Sequence, residues 1–205
     1  MKLYCATSNR GKLREFHLAV ANLPDVEIEP LENLARLPAC EEVGQTFEEN
    51  AILKAKYYGR YAPGLLFSED SGIEVEALGG APGVYSARFA GEGATDESNN
   101  LLLLEKLRGV ENRAARYVSV IALVQGGDVK GVFRGEVEGQ ILEAPRGEGG
   151  FGYDPLFYHP PFGCTFAEVT AERKFTVSHR GRAVGRMEQF LRQHWENLIS
   201  RPLSG

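Results

Sequence analysis

From Tyr117 to Val124 the chain is almost continuously apolar. A short run of that kind, with no polar residue at every second position, is a strand covered on both faces. Gly126-Gly127-Asp128 then supplies a turn into a partner strand spanning about Val129 to Ile141. This hairpin marks the centre of a sheet. Helical and strand-like segments alternate around it, so the chain reads as α/β.

Helical stripes follow short strand candidates. Leu3 to Thr7 is apolar and β-compatible, and after the polar turn Ser8 to Gly11 the residues Leu13, Phe16, Val20 and Leu23 are spaced as one helical face. Thr46 with Glu49 three residues later is a capping box opening a helix striped by Phe47, Ala51, Ala55, Tyr58 and Ala62. Leu65-Leu66-Phe67 reads as a short strand that ends in the acids Glu69 and Asp70, with Ile73, Val75 and Ala77 alternating beyond. Thr95 caps a third helix that Gly109 stops. Glycines and prolines crowd Pro145 to Pro161, an expected irregular loop. Val184, Met187, Leu191, His194 and Leu198 share one side of a last helix.

With 205 residues, 43% of them hydrophobic, the chain can bury an ordinary core, and one compact unit over residues 1–205 is the default. Lys+Arg 23 against Asp+Glu 28 leaves a formal net charge of -5, which repels a phosphate backbone, so no polynucleotide partner is expected. A single nucleotide needs only a local cluster of donors. The three cysteines Cys5, Cys40 and Cys164 form no C-x-x-C pair, which fits a reducing, cytoplasmic location. The opening Met1 to Tyr4 lacks an export signal and no run reaches bilayer-spanning length, so no membrane is expected either.

Four segments carry candidate chemistry, each with a plainer reading. Thr7-Ser8-Asn9-Arg10-Gly11-Lys12 delivers flexible polar residues to a helix start, where free N–H groups and the dipole favour phosphate; alone it reads equally as an ordinary capped turn. The acids Glu41, Glu42, Glu69 and Asp70 come from separate segments, as an oxygen-loving divalent ion requires. Glu41 and Glu69 read mostly as solvated or capping, and Asp70, after an apolar strand and before Ser71-Gly72, is the stronger candidate. Asn50 and Lys54 lie one turn apart and could reach a common phosphate or water, or simply face solvent. Phe151, Gly152, Tyr153 and Asp154 combine close backbone approach, stacking surface and an acceptor, which suits a nucleoside as well as a buried turn. Lys174, with Ser178 as an N-cap before His179 and Arg180, crowds donors beside a positive helix end. His17, His159 and His194 read as structural, and no serine elbow or cysteine nucleophile signature is present.

In this order the segments resemble the Ham1/RdgB family of non-canonical purine nucleoside triphosphate pyrophosphatases, the relatives of inosine triphosphatase. The resemblance covers nearly the whole chain and rests on T-S-N-R-G-K-L-R-E from Thr7, E-V-G-Q-T-F-E-E-N-A from Glu42, E-D-S-G-I-E-V from Glu69, G-G-A-P-G-V-Y-S-A-R from Gly79, G-F-G-Y-D-P from Gly150 and S-H-R-G-R-A from Ser178. It implies an elongated mixed α/β fold with a central twisted sheet, two lobes flanking a nucleotide cleft, and a homodimer. It also implies hydrolysis of dITP, ITP or XTP to the monophosphate and pyrophosphate. Carried over, Thr7 to Lys12 contact phosphates, Glu42 and Asp70 hold Mg²⁺, Asp70 accepts the proton and Ser71 touches substrate. Phe151 to Asp154, Lys174, His179 and Arg180 enclose base, sugar and phosphate. Ser8 stands where the family's loop often has glycine, and Glu69-Asp70 where many bacterial members have two aspartates. Two rival readings remain, a Maf-type pyrophosphatase acting on other modified or pyrimidine nucleotides and a nucleotide-binding regulator without catalysis.

Overall fold

The apolar run is strand β4 (Ala114–Gln125), and the turn after it opens β5 (Asp128–Ile141). A computed structural model describes residues 2–20 and 26–199. Within them β1 (Lys2–Cys5), β2 (Glu27–Pro30), β3 (Leu65–Val75), β6 (Phe157–His159) and β7 (Cys164–Thr165) join the same sheet. Its order is β2-β1-β3-β4-β5-β6-β7, so the doubly buried strand lies at the centre, as its composition predicts. β3 to β7 pair antiparallel, while β1 runs parallel to both β2 and β3. Val118, Val120, Ile121, Ala122, Leu123 and Val124 are all fully buried. Each of the larger ones stabilises the fold by about 1.5–3 kcal/mol relative to leaving it in water.

Among the described residues five α-helices cover the sheet: α1 (Arg10–Val20), α2 (Phe47–Gly59), α3 (Asp96–Lys106), α4 (Ala171–Phe175) and α5 (His179–Ile199). α2 opens on the capping box of Thr46 and Glu49. It lays Phe47, Ala51 and Ala55 against Leu66, Val118, Val120 and Ala122 on one face of the sheet. On the opposite face α1 and α5 pack Phe16, Ala183, Val184, Met187 and Leu191 on Leu65, Phe67, Ile121 and Leu123. Farther along that second face a separate cluster joins Ile73, Val75, Tyr117 and Val137 to Leu103 of α3 and to Tyr153, Phe157 and Phe166. Thr95 and Ser98 cap α3 reciprocally, and Gly109, at φ 75°, follows its end.

Several boundaries differ from expectation. β3 does not stop at Phe67 but runs unbroken through Glu69 and Asp70 to Val75, because all eleven of its residues pair with β4. Asp70 therefore sits in mid-strand, and Ala77 falls in a 3₁₀ turn (Glu76–Leu78) beyond it. β1 ends at Cys5, two residues early. The loop expected over residues 145–161 contains β6, whose Phe157 and Tyr158 complete ladder bonds with β5. His194 is exposed beside the buried stripe of α5. Leu23 lies outside the described residues.

Candidate active site

β1 pairs with β3 only at Tyr4–Leu66 and Cys5–Phe67. Between Ser68 and Gly72 the edge of β3 is therefore uncovered on that side, before Ile73, Glu74 and Val75 meet Ser86, Pro82 and Ala81, and the chain leaving β1 bends away through Thr7 to Asn9. A cleft of about 500 Å³ occupies this gap. It lies where a parallel strand ends inside a sheet, the place where α/β folds gather their ligands. Because side chains alternate along β3, Glu69 and Ser71 enter from one face of the sheet and Asp70 from the other. The cleft wraps the open edge and is lined from both sides.

On the α5 side the row Leu65, Phe67, Glu69, Ser71, Ile73, Val75 is polar only in its middle, between the two apolar clusters. Arg180, 1% exposed, fills that interval. Its guanidinium donates to both oxygens of Glu69 at 2.9 and 3.4 Å, to Ser71 Oγ at 3.0 Å, and to Glu15 Oε2. Lys12 Nζ adds a 3.1 Å pair to Glu69, and Ser119 Oγ donates to it at 2.6 Å. Glu15 also takes Lys174 at 2.8 Å, and Lys174 in turn pairs with Asp154 at 2.6 Å. Burial opposes ionisation of Glu15, yet Arg180 and Lys174 outweigh it and hold its carboxyl down at about 2. Glu69 is likewise held well below the carboxylate range, by Arg180 and Lys12 against the cost of its burial. Asp154, by contrast, is pushed up by burial, which Lys174 only partly offsets.

His179, the first residue of α5, stacks on the Tyr117 ring with centroids 4.6 Å apart and planes 9° from parallel. Burial, reinforced by the charge of Arg180, lowers its pKa well below the usual value, so the ring is neutral at neutral pH. Its Nδ1 is buried and has no hydrogen-bond partner among the described residues. Phe151 completes this side, its ring beneath Lys174 Nζ at 4.8 Å and Arg180 at 5.6 Å. Gly11 explains how Phe151 comes so near α1, since a Cβ there would meet the ring at 2.7 Å.

On the α2 side, Lys54 Nζ donates to Glu42 Oε2 at 3.1 Å and Asp70 Oδ1 at 2.9 Å. Asn50, one turn earlier, accepts the N–H of Gly44 through Oδ1 and turns its Nδ2 toward Asp70 Oδ2 at 3.4 Å. Burial raises the pKa of Asp70, with Lys54 pulling it back. Two carboxylates thus share one ammonium at the cleft wall. They are the pair able to hold an oxygen-loving divalent ion whose remaining ligands are water and phosphate. Among the described residues no three His, Cys, Asp or Glu side chains form a ready cage.

The sequence candidates separate accordingly. Thr7, Ser8, Asn9, Lys12, Glu42, Ser71, Phe151, Gly152, Tyr153, Asp154, Lys174, His179 and Arg180 line the cleft. Arg10 is exposed at the start of α1, and it and Gly11 are outside the lining. Asn9 Oδ1 is engaged as a helix cap, accepting the N–H of Lys12 at 3.0 Å. Tyr153 touches the cleft but is mostly packed in the core, its hydroxyl donating to Ser86 O, and Phe151 is the less buried of the two rings there. Asp154 spends its oxygens on Lys174, Tyr117 and the N–H of Phe151. Glu69 is not the solvated or capping acid that its place at a supposed strand end suggested, because the strand continues and Arg180 meets it. Asn50 and Lys54 are pointed inward rather than at solvent. Sequence reasoning missed Glu15, Asp96 and Ser119. Asp96 Oδ2 accepts the N–H of Gly152 at 2.6 Å and so anchors the Phe151 loop to α3.

A family model described as the Ham1 family matches residues 3–190. A dITP/XTP pyrophosphatase of Acidobacterium capsulatum is 50% identical over 193 residues, spanning 90% of this chain and 95% of the relative. One of an Exiguobacterium species is 48% identical over 188 residues, spanning 92% and 95%. The solved Ham1 protein of Staphylococcus aureus is 39% identical and superposes with a TM-score of 0.84, covering 95% of this chain and all of that one. With the motif segments assembled around one cleft and the match running from β1 to α5, this chain belongs to the Ham1 family.

Proposed function

We propose that this chain is a magnesium-dependent hydrolase converting dITP, ITP and XTP to the monophosphate and pyrophosphate, working as a cytoplasmic homodimer. Curated relatives carry the name dITP/XTP pyrophosphatase. The observation that carries the reading is the meeting of Glu42 and Asp70 on one ammonium, across a cleft from Phe151, His179 and the Lys174–Arg180 array. In the reaction the oxygen of water bonds to the α-phosphorus. The bond from that phosphorus to the bridging oxygen breaks, and the electron pair leaves with pyrophosphate. Asp70 orients the water and takes its proton. Lys12 and Lys174 face the phosphates, but both are already paired to internal carboxylates. The cleft's own cations therefore meet only part of a triphosphate's charge, which is why a divalent ion fits. Bound through Glu42 and Asp70, Mg²⁺ would neutralise phosphate charge and ease departure of pyrophosphate.

Base choice follows from the other end. With its proton on the unpartnered Nδ1, the neutral His179 imidazole would donate to a 6-oxo group, and the 6-amino group of adenine would leave that donor unmet. Purified protein with Mg²⁺ and ITP is expected to yield IMP and pyrophosphate. Release of orthophosphate, or equal turnover of ATP, would overturn the assignment. Asp70→Asn should lower kcat by about 10²–10⁴-fold while thermal unfolding stays cooperative; retained turnover removes Asp70 from its role.

A further inference from the structure

Resting on the assignment of Glu42 and Asp70 as the metal ligands, we propose that Lys54 is a built-in stand-in for the divalent ion. It neutralises the two carboxylates while the cleft holds no triphosphate, and it must vacate them before metal can bind, so that metal and triphosphate enter as a linked pair.

Three features of the site lead there. The Lys54 ammonium sits between the two acids, at 3.1 Å from Glu42 and 2.9 Å from Asp70, bonded to one oxygen of each. Glu42 and Lys54 form part of the cleft wall while Asp70 does not, so the ammonium covers the carboxylate that the chemistry requires. Asp70 is only 6% exposed, and its other contact, with Asn50, is long at 3.4 Å. Without a cation, the buried Asp70 of β3 would face the partly exposed Glu42 of the loop before α2 as a like charge, an arrangement that is unfavourable.

A divalent ion arriving alone must displace an ammonium from both of its bonded acids. Of the other carboxylates on the wall, Glu69 is taken by Lys12 and Arg180 and Asp154 by Lys174, while Asp96 holds the N–H of Gly152. A triphosphate changes the balance, because it brings anionic oxygens within reach of a flexible four-carbon side chain and leaves Glu42 and Asp70 to the metal. Linkage then requires each ligand to tighten the other by the same factor.

Binding of Mn²⁺ followed by electron paramagnetic resonance tests this, with Mn²⁺ alone and with an ITP analogue carrying a methylene bridge between the α- and β-phosphorus. The wild-type chain should bind Mn²⁺ weakly alone and far more tightly with the analogue. Lys54→Met should bind Mn²⁺ alone about tenfold or more tightly than wild type, as removal of one adjacent positive charge implies. The coupling between Mn²⁺ and the analogue should shrink in step. Its melting temperature should fall in EDTA and recover with Mn²⁺, whereas Lys54→Arg, which keeps the charge, should bind Mn²⁺ as wild type does. Should the Met variant fail to fold in EDTA, Lys54→Gln carries the same titration. Mn²⁺ affinity in these neutral variants equal to or below that of wild type, with binding still abolished by Glu42→Gln, overturns the stand-in role alone. If Glu42→Gln and Asp70→Asn leave Mn²⁺ binding with the analogue unchanged, the ligand assignment fails and the stand-in fails with it.

Discussion

At the scale of single residues, Glu15 is the group on which the base side of the cleft depends. It is buried, and it joins Arg180 to Lys174 across 165 and 159 positions of chain respectively, binding the start of α5 and the short α4 to α1. Replacing one partner of such a buried network by a neutral group leaves cations underpaired, so Glu15→Gln should destabilise the fold by about 3–5 kcal/mol. The pH dependence has a definite sign. The folded-state pKa of Glu15, about 2, lies below its ordinary 4.5. Its stabilising contribution is therefore fully present above that ordinary value and is lost as the pH falls toward the folded one. Urea unfolding across that acid window should show stability falling with a shallower slope in Glu15→Gln than in wild type. The sequence carried a trace of this role: Glu15 adjoins Phe16 on the inward stripe of α1, where a solvated acid is out of place. Its partners were not legible, since nothing local links position 15 to 180.

Among the elements, β3 teaches the most about reading the chain. Taken as consecutive residues it looks like an apolar strand, an acidic turn and a second alternating strand. Taken every second residue, Leu65, Phe67, Glu69, Ser71, Ile73 and Val75 form one face with a polar gap, and β4 matches the gap with Ser119 between Tyr117 and Ile121. That interruption is where Arg180 enters, and a period-two reading across the acids would have found it. The capping box of α2 and the Thr95 cap of α3 were readable because they involve residues three apart, although the reciprocal bond from Ser98 emerged only in the structure. The closeness of α5 to the sheet was not. Gly135 of β5 lies under its first turn, and a Cβ there would meet the carbonyl oxygen of His179 and, at 2.5 Å, the amide of Ala183. Both obstacles are backbone and cannot rotate away. Gly135→Ala should cost about 1–3 kcal/mol by overpacking. It should also lower ITP turnover more than the stability loss explains, because α5 carries His179 and Arg180; unchanged kcat/KM beside a lowered Tm would contradict this.

For the molecule as a whole, the cleft is a consequence of strand order. A two-residue pairing between β1 and β3 leaves the middle of β3, from Ser68 to Gly72, with one free edge, and helices on both faces close around it. The central hairpin supports all of this, so a cavity in it should weaken the molecule globally rather than at one corner. Ile121→Ala, at a fully buried position of β4, should lower stability by about 2–5 kcal/mol in a single cooperative transition. Thermal unfolding followed by circular dichroism checks it, with separate melting of two halves as the contrary result.

What the amino-acid order determined unaided was local: the doubly buried strand, the helix starts, the polar segments that reach the cleft and the net negative charge. Those properties arise between neighbours in the chain or from composition alone. Only the tertiary structure decided which charges meet, that Glu69 is bound by Arg180 rather than by water, that Asp70 answers to Lys54 on the other face, and that Tyr153 packs mostly into the core while Phe151 is the less buried ring at the cleft. Opposite charges attract any partner equally well, and the choice among them is made by packing, which brings residues 15, 69, 154, 174 and 180 to one place only after the whole sheet has formed.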